Sequence, residues 1–227
     1  MIGIIGAMKE EVDAILAIME DRVKLEHYGV KFHTGKINGK DCVVCKSGVG
    51  KVNAARSTQI MVDRFDPEYI INVGSAGALE PSLEIGDIVI SDSCIQHDAD
   101  ITAFGHPKGY IAGIRYIEAD AGLIQQCKNA IELSVDHKYH IYIGTVASGD
   151  QFISSEEKKK ELHEEFGAWC AEMEGAAIAH VCHLCDKPFV VIRSISDKSV
   201  KGNAIEFREF LELSAARCAH FIDVFTK

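Results

Sequence analysis

Glu11, Glu172, Glu174 and Asp197, together with Arg193, are the side chains of this sequence best placed to do chemistry. Glu11 ends the segment Gly6-Ala7-Met8-Lys9-Glu10-Glu11, just after the first apolar run. Glu172 and Glu174 flank Met173 in Glu172-Met173-Glu174-Gly175, and Arg193-Ser194-Ile195-Ser196-Asp197 closes a later apolar run. Carboxylates gathered without metal-ligand spacing suit a reaction with a cationic transition state, because fixed negative charge stabilises positive charge as it develops. Glycosidic bond cleavage is such a reaction, since the sugar becomes oxocarbenium-like. Singly, each acid has an ordinary structural use: Glu174 complementing a helix dipole, Asp197 capping a turn, Glu11 sitting exposed in a first helical turn. Their common position at the ends of separate apolar runs marks them as a set.

Elements able to hold such groups follow from the pattern. Short apolar runs alternate with helix-period segments, as in a three-layer α/β fold. Strands are expected over 2–6, 32–37, 42–47, 69–73, 87–91, 140–148, 168–173 and 188–195. Helices are expected over 10–20, 52–65, 120–134, 155–165, 175–185 and 204–225. Asn38-Gly39 between two of these runs is a two-residue hairpin signal, which makes the sheet mixed. The run from Pro188 to Ile195 is continuously apolar, the mark of a strand covered on both faces. Glycines follow several of the strands (Gly3 and Gly6, Gly48 and Gly50, Gly74 and Gly77), where backbone can approach a ligand at the carboxyl edge of a sheet. No linker, repeat or low-complexity stretch divides the chain, so residues 1–227 read as one domain.

Composition narrows the function. The chain has 227 residues, 47% hydrophobic, with a net charge of −10. That charge repels phosphate and argues against a nucleic-acid or membrane-surface role. The basic run Lys158-Lys159-Lys160, set among Glu156, Glu157, Glu161 and Glu164, reads as a solvated helix face. Met1-Ile-Gly-Ile-Ile-Gly6 reads as a buried strand and not as a signal peptide, and no run has the ~20 apolar residues of a membrane helix. Eight cysteines without a secretion signal read as reduced core residues, placing the protein in the cytoplasm.

Cys42 and Cys45 lie on a strand and point to opposite faces. Cys182 and Cys185, with His180 and His183, share a helix face, but structural zinc sites usually draw cysteine pairs from turns. Asp98 and Asp100 beside His97 lack a third ligand. Ser47-Gly-Val-Gly-Lys51 is no Walker A loop, because Val52 stands where Ser or Thr must bind magnesium.

Gly6–Glu11, Ser47–Lys51, Asn72–Gly77, Gly86–Val89, His97–Asp100, Ser148–Ile153, Glu172–Glu174 and Arg193–Asp197, in this order over nearly the whole chain, resemble 5′-methylthioadenosine/S-adenosylhomocysteine nucleosidases. The resemblance implies a nucleoside phosphorylase-like αβα fold with a central twisted mixed sheet, assembled as a homodimer. It also implies hydrolysis of the adenine N-glycosidic bond of methylthioadenosine, S-adenosylhomocysteine and 5′-deoxyadenosine, with water as nucleophile and no metal or cofactor. Asp197 is then the general acid that protonates adenine N7, oriented by Ser196 and Ser75, and Glu11 activates the water beside Arg193. Glu174 binds the ribose hydroxyls, Met173 packs on the sugar, and Glu172 belongs to the same substrate-binding segment. Phe152 stacks on adenine and the backbone of Ile153 reads its edge. Ala7, Met8, Val49, Gly50, Ala76 and Gly77 shape the floor, while Ile101 and Phe104 reach the partner subunit's site. Two departures stand out: Lys9 replaces a more usual acidic residue, and Gly105–Ala112 does not follow the family pattern.

Three rival readings remain at this point. A phosphorylase on the same fold needs several basic groups for phosphate, where the first loop offers Glu10 and Glu11. A non-catalytic nucleoside binder needs no acid, water-binding carboxylate and sugar-binding glutamate together. Aminodeoxyfutalosine as substrate uses the same machinery.

Overall fold

The computed structural model describes residues 1–134, 140–198 and 203–227. Strands β1 (Ile2–Gly6), β2 (Glu20–His27), β3 (Val30–Ile37), β4 (Lys40–Lys46) and β5 (Tyr69–Ala78) enclose helices α1 (Lys9–Ala17) and α2 (Lys51–Phe65) in sequence. Then follow β6 (Ile88–Gln96), a single 3-10 turn at Thr102–Phe104, β7 (Ile117–Glu118), α3 (Ala121–Ser134), β8 (Ile141–Ser148) and α4 (Glu156–Phe166). The chain ends with β9 (Ala168–Glu172), α5 (Gly175–Leu184), β10 (Phe189–Asp197) and α6 (Asn203–Phe225). The expected α/β architecture with a mixed central sheet is what the chain adopts.

One arm of the sheet is β5-β1-β4-β3-β2, parallel as far as β4 and antiparallel beyond it. The β3–β4 turn is the Asn38-Gly39 pair, both with positive φ (49° and 77°), as the sequence signal requires. The other part closes on itself: β5 pairs with β10, β10 with β6, β6 with β8, β8 with β9, and β9 returns to β5. A side cluster of strands therefore forms a small barrel, and β5 belongs to both barrel and arm. The barrel was not legible in the sequence, because its closure rests on two paired positions, Gly77 with Ala171 and Ala78 with Cys170.

Two apolar clusters sandwich the sheet. One includes Phe32, Cys45, Met61, Ile70 and Ile178, beneath α2 and α5; the other includes Ile4, Ile15, Cys42, Val190 and Phe221, beneath α1 and α6. Cys42 and Cys45 thus enter cores on opposite faces, as strand alternation demands. All nine residues of β10 are buried, which matches its unbroken apolar run.

Two expectations are corrected. The first helix ends at Ala17, not at residue 20, and Glu20–His27 forms an unexpected strand. β2 is an edge strand whose side chains are mostly exposed, so it carries charge along its length, and its apolar alternation is confined to the exposed Val23 and Leu25. The second correction is on α4, where Lys159 is buried with Leu162 and Phe166 while Lys160, Glu164 and Glu165 face solvent. The basic run is not uniformly a solvated face. Among the described residues, no helix is long and apolar enough to cross a membrane.

Candidate active site

β5 changes neighbours along its length, and the pocket opens where it does. Its first half pairs with β1 up to Asn72, and its last residues pair with β9. Between these partners lies the crevice beyond the strand ends where ligands bind in open α/β sheets. Ser75, Ala76 and Gly77 of β5 line it, with Ala7, Met8 and Glu11 from the β1–α1 turn on one side. Glu172, Met173 and Glu174 come from the end of β9, and Arg193, Ser196 and Asp197 from the end of β10. Val49, Phe152 and Ile153 form the remaining wall, and the cleft holds about 680 Å³ of open space counting its mouth.

Glu11 is buried at 2% exposure by the start of α1. Its Oε2 accepts hydrogen bonds from the backbone N–H groups of Ala7 (2.9 Å) and Met8 (3.0 Å), and its Oε1 accepts from Ser75 N (3.3 Å). The helix dipole and these donors make the position favourable for a carboxylate. Across the pocket, Glu174 Oε1 accepts from Gly50 N (2.8 Å). Burial, followed by the negative charge of Glu172, pushes the Glu174 carboxyl up to about 7, against the pull of Arg193 and the Gly50 N–H.

Arg193 is fully enclosed at 1% exposure, and its Nη2 donates to Glu172 Oε2 and Asn72 Oδ1. Glu172 is occupied on both oxygens: it also accepts from Ser148 Oγ and from the backbone N–H groups of Glu174 (2.9 Å) and Gly175 (2.8 Å). Its carboxylate therefore holds Arg193 and the start of α5 while Glu172 lines the cleft. Asn72 completes the support by donating to Ile5 O at 2.8 Å, which ties β5 to β1. A Cβ added at Gly74 would overlap Arg193 Nη1 and come within 3.0 Å of Glu11 Oε1, so the guanidinium and Glu11 meet over a bare backbone.

Asp197 is 2% exposed at the end of β10, and Ser196 Oγ donates to its Oδ1 at 3.0 Å. Gly77 lies opposite in register, where a Cβ would approach Asp197 Oδ2 to 3.0 Å. Ser75 lines the same cleft as Asp197 and gives its backbone N–H to Glu11. Gly50 serves through its N–H to Glu174 and does not itself line the cleft. Ile101 and Phe104 lie outside this pocket, Phe104 being 81% exposed. Ala78, Leu79, Gln151, Lys159 and Ala171 line the pocket without having been picked out from the sequence. For Ala78 and Ala171 the missing signal was the barrel closure; for Lys159 it was the i, i+3, i+7 relation to Leu162 and Phe166.

Asp98, Asp100 and His180 are engaged in other contacts. Asp98 binds Lys51 Nζ and the Asp150 N–H (3.0 Å), Asp100 accepts from Thr102 N and Oγ1, and His180 Nδ1 shares a hydrogen bond with Gln96. Among the described residues no group of three His, Cys, Asp or Glu could hold a metal ion.

Residues 1–227 match the model of the phosphorylase superfamily. The chain is 42% identical over 223 residues to the 5′-methylthioadenosine/S-adenosylhomocysteine nucleosidase of Geobacillus thermodenitrificans, covering 97% of this chain and 93% of that protein. The chain belongs to this nucleosidase family. Its relative from Staphylococcus epidermidis is 40% identical over 217 residues, covering 95% and 94% of the two chains. Among solved structures it superposes on the Neisseria meningitidis nucleosidase in complex with methylthio-immucillin-A with a TM-score of 0.93, at 35% identity over 99% and 97% of the chains. Futalosine hydrolase of Helicobacter pylori matches with a TM-score of 0.92, at 36% identity over 99% and 96%. Family members bearing the nucleosidase name are N-glycosyl hydrolases.

Proposed function

We propose that this protein hydrolyses the N-glycosidic bond of 5′-methylthioadenosine and S-adenosylhomocysteine, and of 5′-deoxyadenosine, acting as a cytoplasmic homodimer in methionine salvage. The convergence of Glu11, Glu174 and Asp197 on one cleft carries this reading. Asp197 gives its proton to N7 of the leaving adenine as the C1′–N9 bond breaks, so the base departs neutral. A water held by Glu11 attacks C1′ and passes its proton to that carboxylate. Glu174 accepts hydrogen bonds from the ribose hydroxyls, Met173 packs on the sugar, and Phe152 and Ile153 hold the base. The negative side chains favour the sugar as it becomes cationic.

Water as nucleophile is supported by the charges around Glu11. Arg193 is the cation beside Glu11, and it is engaged by Glu172 and Asn72, while Lys159, also in the lining, gives its Nζ to the Lys198 carbonyl. A phosphate there would meet carboxylates with little to compensate them. The test is release of adenine from 5′-methylthioadenosine with and without phosphate. Equal rates and free 5-methylthioribose are expected; strict phosphate dependence with a ribose 1-phosphate product overturns the proposal. Asp197→Asn should lower turnover ~10²- to 10⁴-fold, the usual worth of a positioned acid. A second reading, hydrolysis of aminodeoxyfutalosine, is favoured by the likeness to futalosine hydrolase, and kcat/KM across these nucleosides ranks the two.

A further inference from the structure

Lys159 is 4% exposed and lines the active-site cleft, an unusual place for an ammonium on a helix that otherwise turns its charges to water. Lysine is almost never fully buried unless it is paired. Its Nζ donates to the carbonyl oxygen of Lys198, the residue immediately after Asp197, at 2.9 Å. Ser155 caps the N-terminus of α4, and Leu162 and Phe166 anchor the same face in an apolar cluster with Leu79 and Ala171. The helix therefore delivers this amine rigidly to the end of the cleft where β10 stops.

We propose that Lys159 is a positioning residue for Asp197, supplying the positive charge that faces the carboxylate once its proton has gone to the base. This inference rests on the reading of Asp197 as general acid. Proton transfer breaks the Asp197 O–H bond, forms N7–H on the purine as the C1′–N9 electron pair moves to the base, and leaves an anion in a buried pocket. Glu11, Glu172 and Glu174 add negative charge around it, and Arg193 is engaged by Glu172 and Asn72. On the outer side, Lys198 Nζ binds Glu84 (2.6 Å) and His163 faces Glu80 (3.3 Å), so those charges are matched away from the cleft. Burial and like charge both oppose ionisation of an acid, and an acid too reluctant to ionise transfers its proton slowly. A buried ammonium tied to the carbonyl of the next residue offsets both effects.

Lys159→Gln separates charge from tether, because the amide keeps a donor for Lys198 O and loses the cation. With 5′-methylthioadenosine as substrate, its kcat should fall ~3- to 10-fold with KM little changed. The alkaline limb of kcat/KM against pH should move up by about one pH unit, as expected when an opposite charge leaves the neighbourhood of an acid. Lys159→Arg should restore the limb and most of the rate. A Lys159→Gln profile that overlays the wild type, or a loss of Tm with an unmoved limb, overturns the inference. If the glutamine variant does not fold, Lys159→Met and Lys159→Arg compared on the same limb decide the matter. Full turnover by Asp197→Asn defeats the acid reading itself, whereas a dead Asp197→Asn beside a normal Lys159→Gln defeats only the role of Lys159.

Discussion

Glu174 occupies a site that resists its charge while the proposed reaction uses that charge. Its carboxyl is raised from an ordinary 4.5 to about 7, by burial first and by Glu172 second. Between those values the folded protein keeps a proton that the unfolded chain releases, so this group's stabilisation is complete below pH 4.5 and is lost as pH rises through about 7. Glu174→Gln should therefore flatten the fall in stability across that window and gain ~1–3 kcal/mol at pH 8, read by urea denaturation. The same variant should bind 5′-methylthioadenosine more weakly, and in the wild type KM should rise as pH drops below about 7, because ribose hydroxyls need an ionised acceptor. A KM independent of pH in that range removes the sugar-binding role. Glu172, two residues away, looked equivalent in the sequence, yet its oxygens are used by Arg193, Ser148 and the start of α5. Spacing placed both acids at a strand end, but the occupation of Glu172 depends on partners more than 20 residues distant.

β5 is the element that builds the site, since it joins the arm to the barrel and passes beneath Arg193 and Glu11. Its apolar start, Tyr69 to Val73, reads plainly as a strand, but its continuation through Gly74-Ser75-Ala76-Gly77-Ala78 does not. Small residues there have weak strand preference, and they are present because bulk would fill the cleft. Gly74→Ala tests this. The added methyl overlaps Arg193 Nη1, which has no room to retreat beside Asn72 and Glu172. A loss of ~1–3 kcal/mol in stability is expected from overpacking, together with a fall in kcat, because Glu11 must shift as well. Thermal denaturation and steady-state rates check both, and an unchanged Tm contradicts the close approach. β2 shows the opposite failure of legibility. It is stable through its ladder with β3, yet among its exposed, charged edge residues only Val23 and Leu25 alternate, too short a pattern to announce it.

Over the whole molecule, the apolar residues left uncovered lie partly around the cleft mouth. Val49 and Phe152 are half exposed, and in the 101–112 loop Phe104 is 81% and Ile111 37% exposed. Such residues fit the homodimer proposed above, in which each loop approaches the other subunit's site, since contiguous exposed apolar surface usually marks an interface. Sedimentation should give twice the chain mass of 24.9 kDa. Phe104→Asp should weaken association and raise KM for 5′-methylthioadenosine while leaving the unfolding of the isolated chain little altered. A wild-type mass of 24.9 kDa at micromolar concentration rules the assembly out.

Residue types and order were enough for the α/β class, the Asn38-Gly39 hairpin, the buried β10 and the acids at strand ends, because each depends on periodicity or turn chemistry within a few neighbours. The closing of β5, β10, β6, β8 and β9 into a barrel, the burial of Lys159 and the different partners of Glu172 and Glu174 came from the folded arrangement. Each depends on contacts between elements remote in the chain, and a pattern read along one strand or helix holds no record of what packs against it.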